Sequence, residues 1–279
     1  MRRIAALLLL VLPIAAGCSS SSKSSSLTPG PAKMYRLVGF QPAGRVQPGK
    51  PTTVAFTIQQ PSRSPLTAYR TGGGPHTGVH LIIVRTDLST IIHRHPPVGA
   101  NGHFQQRIVF PVPGRYRVIV DAYPRQGVLP NFQLFKTITV AGTAKRQPLG
   151  GYHADTVVDG FRFVAPKHPS IAASQAAFLT VHVTDPNGKP ARFVPWYGAL
   201  AHAIFFRAGT LDYFHSHVCA PGATSCTSFV GATRIAGKST TPGKLTIGVL
   251  VPTPGTWKLF LQSKPEGRLV TVPYVLKVR

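Results

Sequence analysis

Carboxylates are scarce in this sequence: 7 Asp and Glu stand against 31 Lys and Arg in 279 residues, a formal charge of +24. So few acids argue against oxygen-rich calcium or magnesium sites and against paired-carboxylate hydrolysis. Methionine occurs twice. Beyond the initiator only Met34 remains, which argues against a thioether copper(I) site. No Gly-x-Ser-x-Gly is present. Gly237-Lys238-Ser239-Thr240 stands one residue too far from Gly231 to make a phosphate loop. No long amphipathic helix stands out, and only the alanine-rich stretch 171–178 suggests a turn of one. An enzyme is not expected.

The three cysteines divide by context. Arg2 and Arg3 precede an apolar run, 4–14, which is followed by Ala15-Ala16-Gly17-Cys18. This is a secretory signal, residues 1–17, rather than a spanning helix. Its small-small-Cys ending resembles a lipobox, in which Cys18 takes the lipid. Residues 18–32, rich in serine and then Pro and Gly, read as a flexible tether. The expected location is the extracytoplasmic face of the cell membrane, held by the lipid. Cys219 and Cys226 enclose turn residues, and an exported chain favours a disulfide between them. A thiolate metal pair would need a different spacing.

Without Arg2 and Arg3 the formal charge becomes +22. Such a charge favours an anionic partner such as an envelope polymer, whereas the scatter of the basic residues reads as a diffusely basic surface; a protein is the other candidate partner. Nucleic acid is not expected outside the membrane.

An internal repeat organises the rest. His80, His93 and His95 recur as His202, His215 and His217, all 122 residues on. The same offset pairs Phe56 with Phe178, Arg70 with Arg192 and Arg85 with Arg207, with no gap needed between 56 and 95. Pro111-Val112-Pro113-Gly114-Arg115-Tyr116 then matches Pro252-Thr253-Pro254-Gly255-Thr256-Trp257 at an offset of 141. The 19 extra residues of the second copy contain both cysteines. Residues 141–151 read as a linker. The predicted domains are 33–144 and 150–279, the second carrying the disulfide loop.

Short β-branched and aromatic runs bounded by Pro or Gly predict strands at 54–58, 79–84, 107–110, 116–120 and 135–140. The second copy predicts them at 178–183, 202–206, 245–251, 257–261 and 270–278. The fold class is all-β: two tandem immunoglobulin-like or cupredoxin-like β-sandwiches. Tyr116 and Trp257 are expected as core anchors.

The histidines fit a hairpin. His93 and His95, two apart, share a face. A turn centred between 87 and 88 sets His80 opposite His95, and one centred a residue earlier sets it opposite His93. Three imidazoles could then hold one ion. Neutral imidazole suits copper(II) or zinc. The candidate metal ligands are His80, His93 and His95 in one copy and His202, His215 and His217 in the other. His76 and His103 lie in turns, and His153, His168 and His182 have no counterpart in the first copy.

The motif order also resembles a group of exported bacterial proteins with YtkA-like or cupredoxin-like domains. The residues concerned are Gly188-Lys189-Pro190, Tyr197-Gly198-Ala199, His202, His215-Ser216-His217 and 252–257, with His80, His93-Arg94-His95-Pro96 and 111–116 in the first copy. The resemblance covers most of the second domain and about half of the first. It implies a β-sandwich outside the membrane that handles metal, often copper. Leu200-Ala201 and Gly78-Val79 stand where that group commonly has Met-Gly, which speaks against a soft copper(I) ligand. The expectation is a lipoprotein that binds copper(II) or zinc in each domain. The alternative is a non-enzymatic interaction module with structural histidines, binding a protein or an anionic envelope polymer.

Overall fold

Alternation of apolar and polar residues shapes the first half of the chain into strands. In a computed structural model that describes residues 34–70, 78–126, 131–220, 226–230, 233–239 and 242–279, Val54, Phe56 and Ile58 all point inward from one strand. The signal segment, Cys18, the tether and His76 lie outside the described residues. Among the described residues this half has seven strands: β1 (Arg36–Gln41), β2 (Pro51–Gln59), β3 (Val79–Arg85), β4 (Ile91–Arg94), β5 (His103–Val109), β6 (Gly114–Ala122) and β7 (Phe132–Val140). They make two sheets, β1-β2-β5 and β4-β3-β6-β7. Both sheets send side chains into one core that includes Phe56, Phe104, Leu81 and Tyr116. That is a two-sheet sandwich of immunoglobulin-like order, its fourth strand beside the third.

The second half contains β8 (Asp155–Val158), β9 (Phe161–Val164), β10 (Ala177–Thr184), β11 (Ala199–Arg207), β12 (Tyr213–Cys219), β13 (Ser228–Val230), β14 (Thr233–Ile235), β15 (Gly237–Lys238), β16 (Lys244–Val249), β17 (Gly255–Ser263) and β18 (Val270–Val278). The order β18-β17-β11-β12-β15-β16-β10-β9-β8 is one continuous sheet around a second core. Short β15 makes it continuous, pairing parallel with β12 and antiparallel with β16. The extra residues of this half supply β13, β14 and β15. Within them Cys219 and Cys226 form a disulfide with Cα atoms 5.8 Å apart.

The Pro-x-Pro-Gly-x-aromatic element behaves alike in both halves. Tyr116 and Trp257 are buried. The Tyr116 hydroxyl donates to the Val112 carbonyl at 2.8 Å, and Trp257 Nε1 donates to the Thr253 carbonyl at 2.9 Å. Each polar tip is satisfied by its own turn, so the ring can fill the core.

Two expectations are corrected. Residues 171–176 form a turn leading into β10, not helix. Ser174 takes a left-handed φ of 58°, and the Ala173 amide donates to the Arg279 carbonyl at 2.7 Å, which commits that backbone elsewhere. The repeat also needs a gap. Phe56 is fully buried while Phe178 is 61% exposed, so the two do not correspond. The bridges Gln59–Pro65 and Thr184–Pro190 are equivalent, and they place β2 against β10 at an offset of 125. Left-handed Arg63 thus matches left-handed Gly188 in the turn that follows. The second copy is three residues shorter between there and the histidine strand. An odd change of register turns every strand residue to the other face.

Candidate metal centre

The β3–β4 hairpin pairs Ile82 with His93 and Leu81 with Arg94. Continued by one residue, this register sets His80 opposite His95, as a turn centred between 87 and 88 requires. Strands β11 and β12 repeat it, with His202 paired to His217. Alternation then sorts the side chains. Val79, Leu81 and Ile83 enter the first core, so His80, Ile82 and Val84 project from the opposite face. Ala201, Ala203 and Phe205 enter the second core, and His202, Ile204 and Phe206 project outward likewise.

These two outward faces pack on each other. Ile82, Val84 and Ile119 of the first half join Ile204, Phe206 and Phe260 of the second in a third apolar cluster. The histidines continue that contact. The His80 ring lies 4.9 Å from His215 and 5.5 Å from His217. Reciprocally, His202 lies 4.8 Å from His93 and 5.7 Å from His95. His93 and His215, equivalent to each other, meet at 5.3 Å. Such reciprocity is the mark of a two-fold interface, made here within one chain.

Six imidazoles therefore form one cluster. Rings within each half are neighbours too, such as His80 and His95 at 4.3 Å. Yet the nitrogen sets that lie within 4.8 Å of one another draw on both halves: His80, His215 and His217 in one, His93, His202 and His215 in the other. Five of the six rings are buried and His95 is half-buried.

Oxygen acceptors around the cluster fix two tautomers. The Gln262 amide donates from Nε2 to Thr271 Oγ1 at 3.0 Å, so its Oε1 accepts from His93 Nδ1 at 3.1 Å. His93 Nε2 is then the lone-pair nitrogen, and it faces His95 Nε2 at 3.0 Å. The Trp196 carbonyl can only accept, so His202 Nε2 donates to it at 2.8 Å. His202 Nδ1 is left with its lone pair, 3.4 Å from His215 Nε2. Burial, reinforced by repulsion from His202 and His80, holds the His93 imidazole well below the usual histidine range. A neutral imidazole oriented through its second nitrogen has the form of a metal ligand.

Several neighbours escaped the sequence reading. The Tyr197 ring stacks on His95 at 4.0 Å, and Trp196 sets an edge against His93 and His202. Asp121, buried, pairs across the strands with His80, and Gln262 pairs the same way with His202. The offset of 141, carried past the Pro-x-Pro-Gly element, would have matched Asp121 with Gln262. His103, His153, His168 and His182 are exposed and stand outside the cluster. The described cysteines are joined as a disulfide and Met34 is exposed, so the donor set is imidazole, which fits copper(II) or zinc and not a thioether copper(I) site.

A family model described as a domain of unknown function (DUF8832) matches residues 156–279, a span that closely follows the second core. No curated protein matches the chain. Among solved structures, FdeC, an adhesin of Escherichia coli, is 13% identical, with 88% of this chain and 63% of that one covered and a TM-score of 0.26. Invasin, a bacterial integrin-binding protein, is 14% identical, with 88% and 38% covered and a TM-score of 0.25. The D00-D0 domain of intimin is 14% identical, with 87% and 99% covered and a TM-score of 0.24. The chain thus spans under two thirds of the FdeC and invasin structures. Scores this low carry no argument about function.

Proposed function

We propose that this chain is an exported, non-enzymatic lipoprotein, anchored through Cys18, whose two β halves hold one copper(II) or zinc ion between them. The observation that carries the reading is the meeting of buried imidazole nitrogens from both halves. The second nitrogens of His93 and His202 are already engaged by oxygen acceptors, which is the support that metal-binding histidines ordinarily have. An ion there would be a binding partner or a clamp rather than a reaction centre, because five of the six rings are buried.

Both nitrogen sets include His215. A neutral imidazole offers one lone pair, so only one set can be complete at a time and the stoichiometry is one ion per chain. Purified protein, stripped with chelator and titrated with copper(II) or zinc, should take up one equivalent. Its stability should rise by about 2.7 kcal/mol at 100 times Kd. The ligands must be deprotonated, so acid should release the ion. Absence of uptake would favour the other reading, an immunoglobulin-like module that displays its surface to a protein or an anionic envelope polymer while the histidines cement its halves.

A further inference from the structure

Equivalent strand positions beside the two buried strand histidines differ in charge. Asp121 neighbours His80, and Gln262 neighbours His202. In a chain with only seven acids, one of them is 1% exposed at this interface. Its Oδ2 lies 3.7 Å from His80 Nδ1 and accepts from the hydroxyls of Tyr123 at 3.0 Å and Tyr213 at 3.3 Å. Its Oδ1 accepts from the Asn131 amide at 2.7 Å and, at 3.5 Å, from Gln133. Every one of these groups is a donor, and Tyr213 comes from the other half of the chain. Hydrogen-bond donors from both halves thus converge on this carboxylate beside His80.

We infer that Asp121 selects between the two nitrogen sets, making His80, His215 and His217 the site that a divalent cation occupies, with the carboxylate as the outer partner of His80. This rests on the metal reading above and adds the choice of site. A carboxylate beside Nδ1 favours the tautomer protonated there and leaves Nε2 as the lone-pair nitrogen, turned to a metal. It also places a negative charge near the ion where the low interior dielectric lets it count. The opposite set has only the neutral Gln262 amide and the Trp196 carbonyl. In a chain of strong positive charge, which repels cations, that difference is decisive.

The test is a titration of the purified chain and its variants with zinc, read as Kd by competition against a chromophoric chelator. Asp121→Asn should weaken binding 10- to 100-fold, the usual effect of losing an outer partner. Independently of that substitution, His80→Ala should weaken zinc binding at least 100-fold while His202→Ala changes it only a few-fold. Thermal melts of the metal-free variants identify any that fail to fold, and the His80 and His202 comparison stands without Asp121→Asn. Equal losses in His80→Ala and His202→Ala, or an unchanged Kd in folded Asp121→Asn, would overturn the assignment. Wild-type protein that takes up no zinc and no copper(II) would instead overturn the metal reading itself.

Discussion

Arg85 and Arg207 occupy the same place in the two halves. Each donates from Nε to a proline carbonyl, Pro113 at 2.9 Å and Pro254 at 3.0 Å. Each lies where a side chain on Gly114 or Gly255 would have to go. Both glycines take positive φ, so the close approach and the backbone conformation together require glycine. Around this shared frame the halves differ. The first keeps two separate sheets, whereas the second joins its sheets through β15 and closes its insertion with a disulfide. The first puts a carboxylate beside its strand histidine and the second an amide. Duplication conserved the hairpin geometry that makes the contact, and divergence fell on the sheet edge and on the charge beside the rings.

Substitutions at equivalent positions sharpen that comparison. The largest effect is expected at the aromatic anchors. Trp257→Ala should cost about 3–5 kcal/mol through the cavity it leaves, while Tyr116→Phe, which keeps the ring and loses only the hydroxyl's hydrogen bonding, should cost about 1 kcal/mol. Urea unfolding measures both. A cost near about 1 kcal/mol for Trp257→Ala would mean that its ring does not anchor the second core. Next comes the disulfide, which has no counterpart in the first half. Reducing it closes no new contact and frees a short loop, so about 2 kcal/mol should be lost. Hydrogen exchange should report the change in β12 to β16 and leave β1 to β7 protected, and loss of protection in both halves would contradict this division.

Acid gives a smaller and graded effect. The folded-state pKa of His93 lies below the unfolded value of about 6.5. Between those values the unfolded chain binds a proton that the folded chain does not. The contribution of neutral His93 is therefore complete above about 6.5 and is lost as pH falls, at up to about 1.4 kcal/mol per pH unit. Metal-free protein should melt at progressively lower temperature below that pH, and His93→Gln should flatten the curve. A slope unchanged by the substitution would place the acid sensitivity elsewhere.

Much of the fold was legible because strand signals are local. The alternation in β2, the proline and glycine boundaries and the cysteine pair are all short-range features. The turn near Asp87, where Arg85 pairs with the carboxylate, left two hairpin registers open, and the strand pairing takes the one centred between 87 and 88. The repeat was misaligned before the histidines because Phe56 and Phe178 match as letters but not as faces. The meeting of the halves was harder to read, although β3 carried a hint. Leu81, Ile82, Ile83 and Val84 make a continuous apolar run, and such a run belongs to a strand covered on both sides. One side is the sandwich core, and the other had to be supplied by something. The repeat itself supplied it, so the histidines meet across the interface as well as within each hairpin. Asp121 went unnoticed because a lone acid in a strand gives no signal until its neighbours are known.

In the proposed metal site the ligands come from both halves and not from one. The direct measurement is the metal content of the variant in which His80, His93 and His95 are all Ala, with its fold checked by the intact disulfide and a cooperative melt. No tightly bound copper(II) or zinc should remain, because each cross-half set then lacks a member. Retention of one ion by His202, His215 and His217 alone would contradict it.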